Sequence, residues 1–438
     1  MIKWYEWDDR ELLEDSRFKL IFIKRLGQEE SEYMEKGIFG RKGIESYSQM
    51  YMPILVESQE RPDVSMKYGL RNTPSVVITT KDGRIIGGGG VANYETFIKF
   101  MIELGTIINK ERDTVEKIAA EDMEEDIEDD KILAENKEDI VRQVEKIVEK
   151  LIDGLSKAQD FSTYWLLSAL EYLLKVGDKG KSQTILSILE KNEDKVESGL
   201  FSGTSIQNPI SFSTFKESYL NIKYARLLSK IDESKADKIL KFVESLRSPS
   251  GLYFSCLMED SEYYKSTEGI RKIRSKPNPD SRIFFSENAS IAEEFCYIGD
   301  VNNAKQIMGK LEEVLIEKSG EKISKVYHSN SKNVFNLLID IACGASAYST
   351  IFRVTGENVY KEKTQQLISL IDWKKGENLF YEFDPNGFGF IKKKKIDLLA
   401  NLLIARSMEK IGMNSDKMKI SLLKFIQLSP WYFVEWLL

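Results

Sequence analysis

The sequence predicts a chain of two unlike units, an α/β unit over residues 1–108 and an all-α ring of helical hairpins over residues 137–438. Three observations carry that expectation. Short apolar runs bounded by turn residues crowd the first hundred positions. A strongly charged stretch, residues 109–136, follows them and reads as a linker. Beyond it a two-helix motif recurs with a period above 50 residues, and 438 residues exceed what one ordinary core accommodates.

In the first unit Phe18 to Leu26 (FKLIFIKRL) reads as a buried strand and Tyr51 to Ser58 as another. A third, SVVITT, follows Thr73-Pro74 and turns at Asp82-Gly83 into RIIG. Strand, helix, strand, helix, then a proline-led hairpin and a last helix is the thioredoxin plan, with Pro74 as the candidate cis-proline. Redox work on that plan needs a low-pKa thiolate at a helix N-terminus and a second thiol two residues on. The loop Gly27 to Ser31 holds no sulfur, and the first cysteine is Cys256, so dithiol chemistry is excluded in this unit. Gly87 to Gly90 lacks the Lys-Ser/Thr ending of a phosphate loop and reads as a strand exit.

Bulk properties exclude several function classes. A net charge of −7 gives no footprint for nucleic acid or an anionic membrane. No run of about 18 apolar residues appears. The start MIKWYEWDDRE lacks a signal-peptide core, and three scattered cysteines fit a reducing compartment, so a cytoplasmic address is expected. His328 is the sole histidine. A zinc site normally needs several His or Cys ligands; no metal and no cofactor is expected, and a mechanism with two imidazoles is ruled out. The abundance of Lys, Glu and Ile suggests a thermophile.

The repeat can be read directly. Apolar helical stretches end in short turns at Gly177, Asp232, Gly299, Gly356 and Gly412, spaced 55, 67, 57 and 56 residues apart. The opposite connections are long: residues 194–209, 248–285, 320–331 and 372–395. Long loops therefore emerge at one end, and the more apolar helices that follow them form an inner ring. Six hairpins closing into an α/α toroid is the expected architecture. Its mouth gathers the inner helix N-termini, which favour anionic or hydroxyl-rich ligands. Three long connections open alike, at Gly199-Leu200-Phe201, Gly251-Leu252-Tyr253-Phe254 and Asn378-Leu379-Phe380-Tyr381. Such aromatics either stack on sugar rings or plug the core between hairpins.

Several of these segments resemble the spermatogenesis-associated, thioredoxin-domain-containing family, which joins a thioredoxin-like domain to a six-hairpin glycosidase-like toroid. Trp4 to Asp15 is similar to its W-x-x-W opening, Glu60-Arg61-Pro62-Asp63 to its E-R-P-D signature, and Asn72-Thr73-Pro74-Ser75 with Lys81-Asp82-Gly83 to its proline-led hairpin. Gly251 to Ser261 resembles its G-G-F-Y-S-A-x-D-A-D-S segment, Asp280 to Asn288 its D-D-K-x-x-x-S-W-N, and Leu338 to Ala342 its L-E-D-Y-A. Departures fall where chemistry is expected. Gln28 and Ser31 occupy the C-x-x-C positions, Met258 replaces an acid and Glu287 replaces a tryptophan. The resemblance implies a divergent member with a degenerate redox site.

Asp260 and Asp280, on the longest mouth loop, are the candidate catalytic carboxylates for a glycosidase-type reaction, which needs two of them across a sugar. Either could instead hold a helix start. Tyr253, Glu259, Glu287, Asn288, His328, Asp340 and Tyr381 are candidate ligand-binding residues about the same mouth. The functional expectation is a non-redox binding module for a peptide, a glycan or another polar small molecule. The alternative is a carbohydrate-active enzyme.

Overall fold

The computed structural model describes residues 2–9, 15–69, 73–90, 93–121, 137–155, 160–205, 213–423, 425 and 432–438. Part of the linker, part of the W-x-x-W segment, Asn72 and Pro430-Trp431 lie outside them. By internal contact the chain forms two compact units, Met1–Glu128 with Glu382–Lys395, and Asp129–Tyr381 with Ile396–Leu438.

The first unit is built on five strands: β1 (Tyr5–Glu6), β2 (Phe18–Lys24), β3 (Tyr51–Glu57), β4 (Ser75–Thr79) and β5 (Ile85–Gly89), in the order β1-β3-β2-β4-β5. β1, β3 and β2 run parallel, whereas β4 and β5 are antiparallel additions. Successive side chains of a strand point to opposite faces, so an unbroken apolar run needs both faces covered. Leu20 and Phe22 pack with Met34, Phe39, Phe97 and Met101, while Ile21 and Ile23 pack with Val56, Val64 and Tyr68 on the other face. The helices are α1 (Glu29–Tyr33), extended by a wider turn at Met34–Phe39, α2 (Ile44–Ser48), α3 (Pro62–Tyr68) and α4 (Tyr94–Glu121). α4 runs well into the charged stretch beyond residue 108 and kinks at Glu111. Pro62 opens α3, where a missing N–H costs nothing. Arg61 holds Asp63 at 2.8 Å and Asp8 at 2.5 Å.

Segment Glu382–Lys395, from one of the long connections, belongs to this unit. Phe388 and Ile391 complete the core beneath Tyr68 and Val77. Tyr68 donates to the Gly83 carbonyl and accepts from Phe390 N–H, both at 2.8 Å. Gly389 (φ 55°) comes so close that a Cβ there would lie 2.2 Å from the Tyr68 hydroxyl.

The second unit consists of α5 (Lys137–Leu155), α6 (Thr163–Val176), α7 (Lys179–Lys191), α8 (Ser218–Leu228), α9 (Glu233–Glu244), α10 (Phe285–Ile298), α11 (Val301–Leu315), α12 (Leu338–Thr355), α13 (Asn358–Leu370), α14 (Leu398–Lys410), α15 (Asp416–Leu423) and α16 (Tyr432–Leu437), with two short helices at Ser261–Lys265 and Glu268–Arg271. The even-numbered helices contact one another in sequence, and α16 returns to α6, which closes an inner ring. Each odd-numbered helix backs one inner helix, and α5 backs α16. Six hairpins thus close as the repeat implies.

Turn chemistry explains the tight hairpins. Gly177, Gly299 and Gly356 end α6, α10 and α12 in the left-handed conformation, which glycine adopts without a Cβ penalty. Asp178 and Asp300 immediately follow and cap α7 and α11 by accepting from Lys181 N–H and Asn303 N–H; Asp232 does the same for α9. No helix of the described residues is long and apolar enough to cross a membrane.

Candidate functional site: a polar network on the ring axis

Inner helices bury nearly every side, so a polar residue on them must find its partner inside the ring. α10 carries Ser286, Glu287, Ser290, Glu293, Glu294 and Tyr297, a stripe at helical spacing on an otherwise apolar helix. α6 supplies Tyr164, Ser168 and Glu171, α8 supplies Tyr219, Lys223 and Arg226, α14 supplies Arg406 and Lys410, and α16 supplies Glu435. These stripes meet around a cavity of about 190 Å³.

Ion pairs cross that space in a chain. Arg226 grips Glu171 at 2.6 Å through Nη2 and Glu294 through Nε. Lys223 lies 3.3 Å from both Glu171 and Glu435, and Arg406 lies 3.4 Å from Glu435. Lys410 reaches Glu293 at 2.8 Å, and the same carboxylate accepts from Ser346, Thr350 and Tyr297. Ser168 and Tyr164 donate to Glu435 at 2.6 and 3.2 Å.

Burial raises every carboxyl here, and the neighbouring cations decide which ones it overcomes. For Glu435, Lys223 and Arg406 outweigh burial and hold the carboxyl down at about 2. Glu171 is likewise lowered by Lys223 and Arg226, and Glu293 is held well below the usual range by Lys410 and Arg406. Glu294 goes the other way. Burial dominates, Arg226 is shared with Glu171, and the Glu171 charge opposes a second anion, so Glu294 is raised to about 7.

Of the residues singled out from sequence, Glu287 lines this cavity; its carboxylate accepts from Ser255 at 2.9 Å. The others are distributed through the loops. Asp280, fully buried, receives the Arg282 guanidinium on both oxygens at 2.9 and 2.5 Å. Asp260 caps the short helix at Ser261, accepting from Tyr263 N–H at 2.7 Å. Glu259 accepts from the Ser213 hydroxyl and from Thr214 N–H. His328 Nδ1 lies 2.8 Å from Asp340, both groups buried, and Asp340 also accepts from Ser286 N–H. Tyr253 and Tyr381 are buried, and the Tyr253 hydroxyl donates to Glu244.

Asn288 belongs to a pattern absent from the sequence reading. Asn221, Asn288 and Asn401 are each the fourth residue of an inner helix. Each side-chain oxygen accepts from, and each amide donates to, the backbone of Leu200, Tyr253 or Phe380 respectively. The three alike loop openings are thereby pinned to the ring, with their aromatics in its core.

In the first unit Gln28 and Ser31 are hydrogen-bonded to each other. Gln28 donates to the Thr73 carbonyl at 2.8 Å, next to cis-Pro74, and accepts from Ser31 at 2.6 Å. The three cysteines form no disulfide and are buried, and burial pushes the Cys296 thiol up to about 12. No group of three or more His, Cys, Asp or Glu among the described residues is placed to hold a metal ion.

No protein-family model and no curated protein matches the sequence. Among solved structures the chain is similar to a D-mannose isomerase, at 12% identity over 67% of this chain and 87% of that one, with a TM-score of 0.47. A cellobiose 2-epimerase from Bacillus thermoamylovorans shares 14% identity over 62% of this chain and 77% of its own, at 0.44. An α-1,6-mannanase from Salegentibacter sp. shares 13% over 65% and 86%, at 0.39.

Proposed function

We propose that the ring unit is a carbohydrate-active module that takes a single sugar ring into its axial cavity, with Glu294 as proton donor. The observation that carries this reading is the pairing of two carboxyls, Glu171 and Glu294, on the single guanidinium of Arg226 in the cavity wall. Burial and the Glu171 charge push Glu294 up, whereas Lys223 and Arg226 pull Glu171 down. Groups whose environments push their pKa values apart divide the acid and base roles between them. Tyr164, Lys223 and Ser290 add hydroxyl and ammonium groups suited to a polyol. In this reading Asp260, Asp280, Asn288 and the His328–Asp340 pair position the mouth loops, and Glu287 meets the ligand at the upper end of the cavity.

The first unit is, in the same reading, a thioredoxin-like domain without redox function. Because Gln28 already uses the Thr73 carbonyl, strand addition by a peptide at this edge loses one backbone acceptor. That favours the ring as the ligand-bearing unit.

A binding and turnover screen over monosaccharides and short glycans, run with the wild type, Glu294→Gln and Asp280→Asn, tests the assignment. Turnover lost in Glu294→Gln with sugar binding retained, and kept in Asp280→Asn in proportion to folded protein, is the expected result. Full activity in Glu294→Gln, or no sugar bound by the wild type, rejects it.

A further inference from the structure

At the end of the ring opposite the long loops, the C-terminal turns of the inner helices surround a second concavity of about 1000 Å³. Its lining side chains include seven cations and two carboxylates, although the chain as a whole carries a net charge of −7. Cations are expected at helix C-termini, where the dipole is negative. Several are also consumed by named partners. Arg226 is held by Glu171, Lys410 by Glu293, Arg406 by Glu435, and Lys419 by Glu409 at 2.5 Å. Lys175 donates to the backbone oxygens of Leu437 and Leu438, and burial together with nearby Arg406 lowers its pKa. Two cations remain. Lys230 and Arg353 are exposed, and their side chains make no hydrogen bond or ion pair among the described residues.

We propose that this basal concavity binds a small molecule bearing a phosphomonoester. A phosphoryl group carries close to two negative charges at neutral pH, which matches the two cations left over, and Arg353 offers the planar fork suited to its oxygens. The concavity is far larger than a phosphate. Tyr297 and Trp436 also line it, with Arg226 and Lys419 set against their rings at 5.2 and 5.9 Å, so an organic remainder has apolar faces to lie on. This site does not depend on the carbohydrate reading of the axial cavity. It adjoins that cavity, however, because Glu171, Arg226, Tyr297 and Arg406 line both.

The test is titration calorimetry on the full chain with inorganic phosphate and with glucose 6-phosphate, at two salt concentrations. The comparison is with the double variant Lys230→Gln/Arg353→Gln and with Lys238→Gln, an exposed lysine of the outer helix α9. Binding of glucose 6-phosphate that weakens with salt, and falls more than about 10-fold in the double variant but not in Lys238→Gln, is expected. Equal binding of inorganic phosphate would restrict the ligand to the phosphoryl group alone and overturn the organic part of the proposal. Absence of binding at millimolar ligand, or unchanged affinity in the double variant, overturns the site itself. Circular dichroism of the variants separates loss of binding from loss of fold.

Discussion

Asn221, Asn288 and Asn401 show what a single amide does in this ring. Each spends its oxygen and one donor on a backbone residue of a mouth loop and also donates to the carbonyl four residues back, so truncating Asn288 leaves the Tyr253 N–H and C=O buried without partners. Asn288→Ala is expected to cost about 3 kcal/mol, read from the denaturation midpoint. Glu294 makes a prediction of opposite character. Its folded pKa of about 7 stands above the 4.5 of an ordinary glutamate. The stability that this carboxyl contributes is complete below pH 4.5 and is lost as pH rises through 7. Glu294→Gln keeps the donor and removes the ionisation. Its midpoint should therefore rise relative to the wild type between pH 5 and 7, by a margin on the order of 2–3 kcal/mol. A difference that stays flat with pH would mean that Glu294 is ionised throughout.

Elements were legible in the sequence to the extent that their signals are local. The apolar runs of β2, β3 and β4 announce strands covered on both faces, and the Gly-Asp turns announce the hairpins. Ala in place of Asp300 removes one cap and should cost only about 1 kcal/mol in thermal unfolding, since the neighbouring glycine turn remains. The candidate site was less legible because it depends on rotation. Glu293 and Glu294 are adjacent in sequence and serve different parts of one network, a distinction fixed only when α10 is seated between α8 and α12. Asp280 illustrates the converse. It has the look of a catalytic acid in the chain, but Arg282, two residues on, engages both of its oxygens. The polar stripe on α10 was the available signal, visible as Glu287, Ser290 and Glu294 at i, i+3 and i+7 on a helix that otherwise reads as core.

At the scale of the molecule the sequence reads as consecutive stretches, 1–108 and 137–438, a division that leaves no place for residues 382–395 in the first unit. A loop distant in sequence leaves no local periodic trace; only its aromatics, Phe388 and Phe390, hinted at a buried destination. Gly389→Ala would drive a methyl group into the Tyr68 hydroxyl at a left-handed backbone position. It should open Glu382–Lys395 to hydrogen exchange while leaving α6 to α14 protected. The Tyr68 hydroxyl and the Phe390 amide that meet there lie 322 residues apart. A ribosome adding about 5–20 residues per second needs roughly 20–60 s to travel from one to the other. During that interval the growing chain must carry a half-covered sheet, so the first unit is sealed long after its own strands have been made.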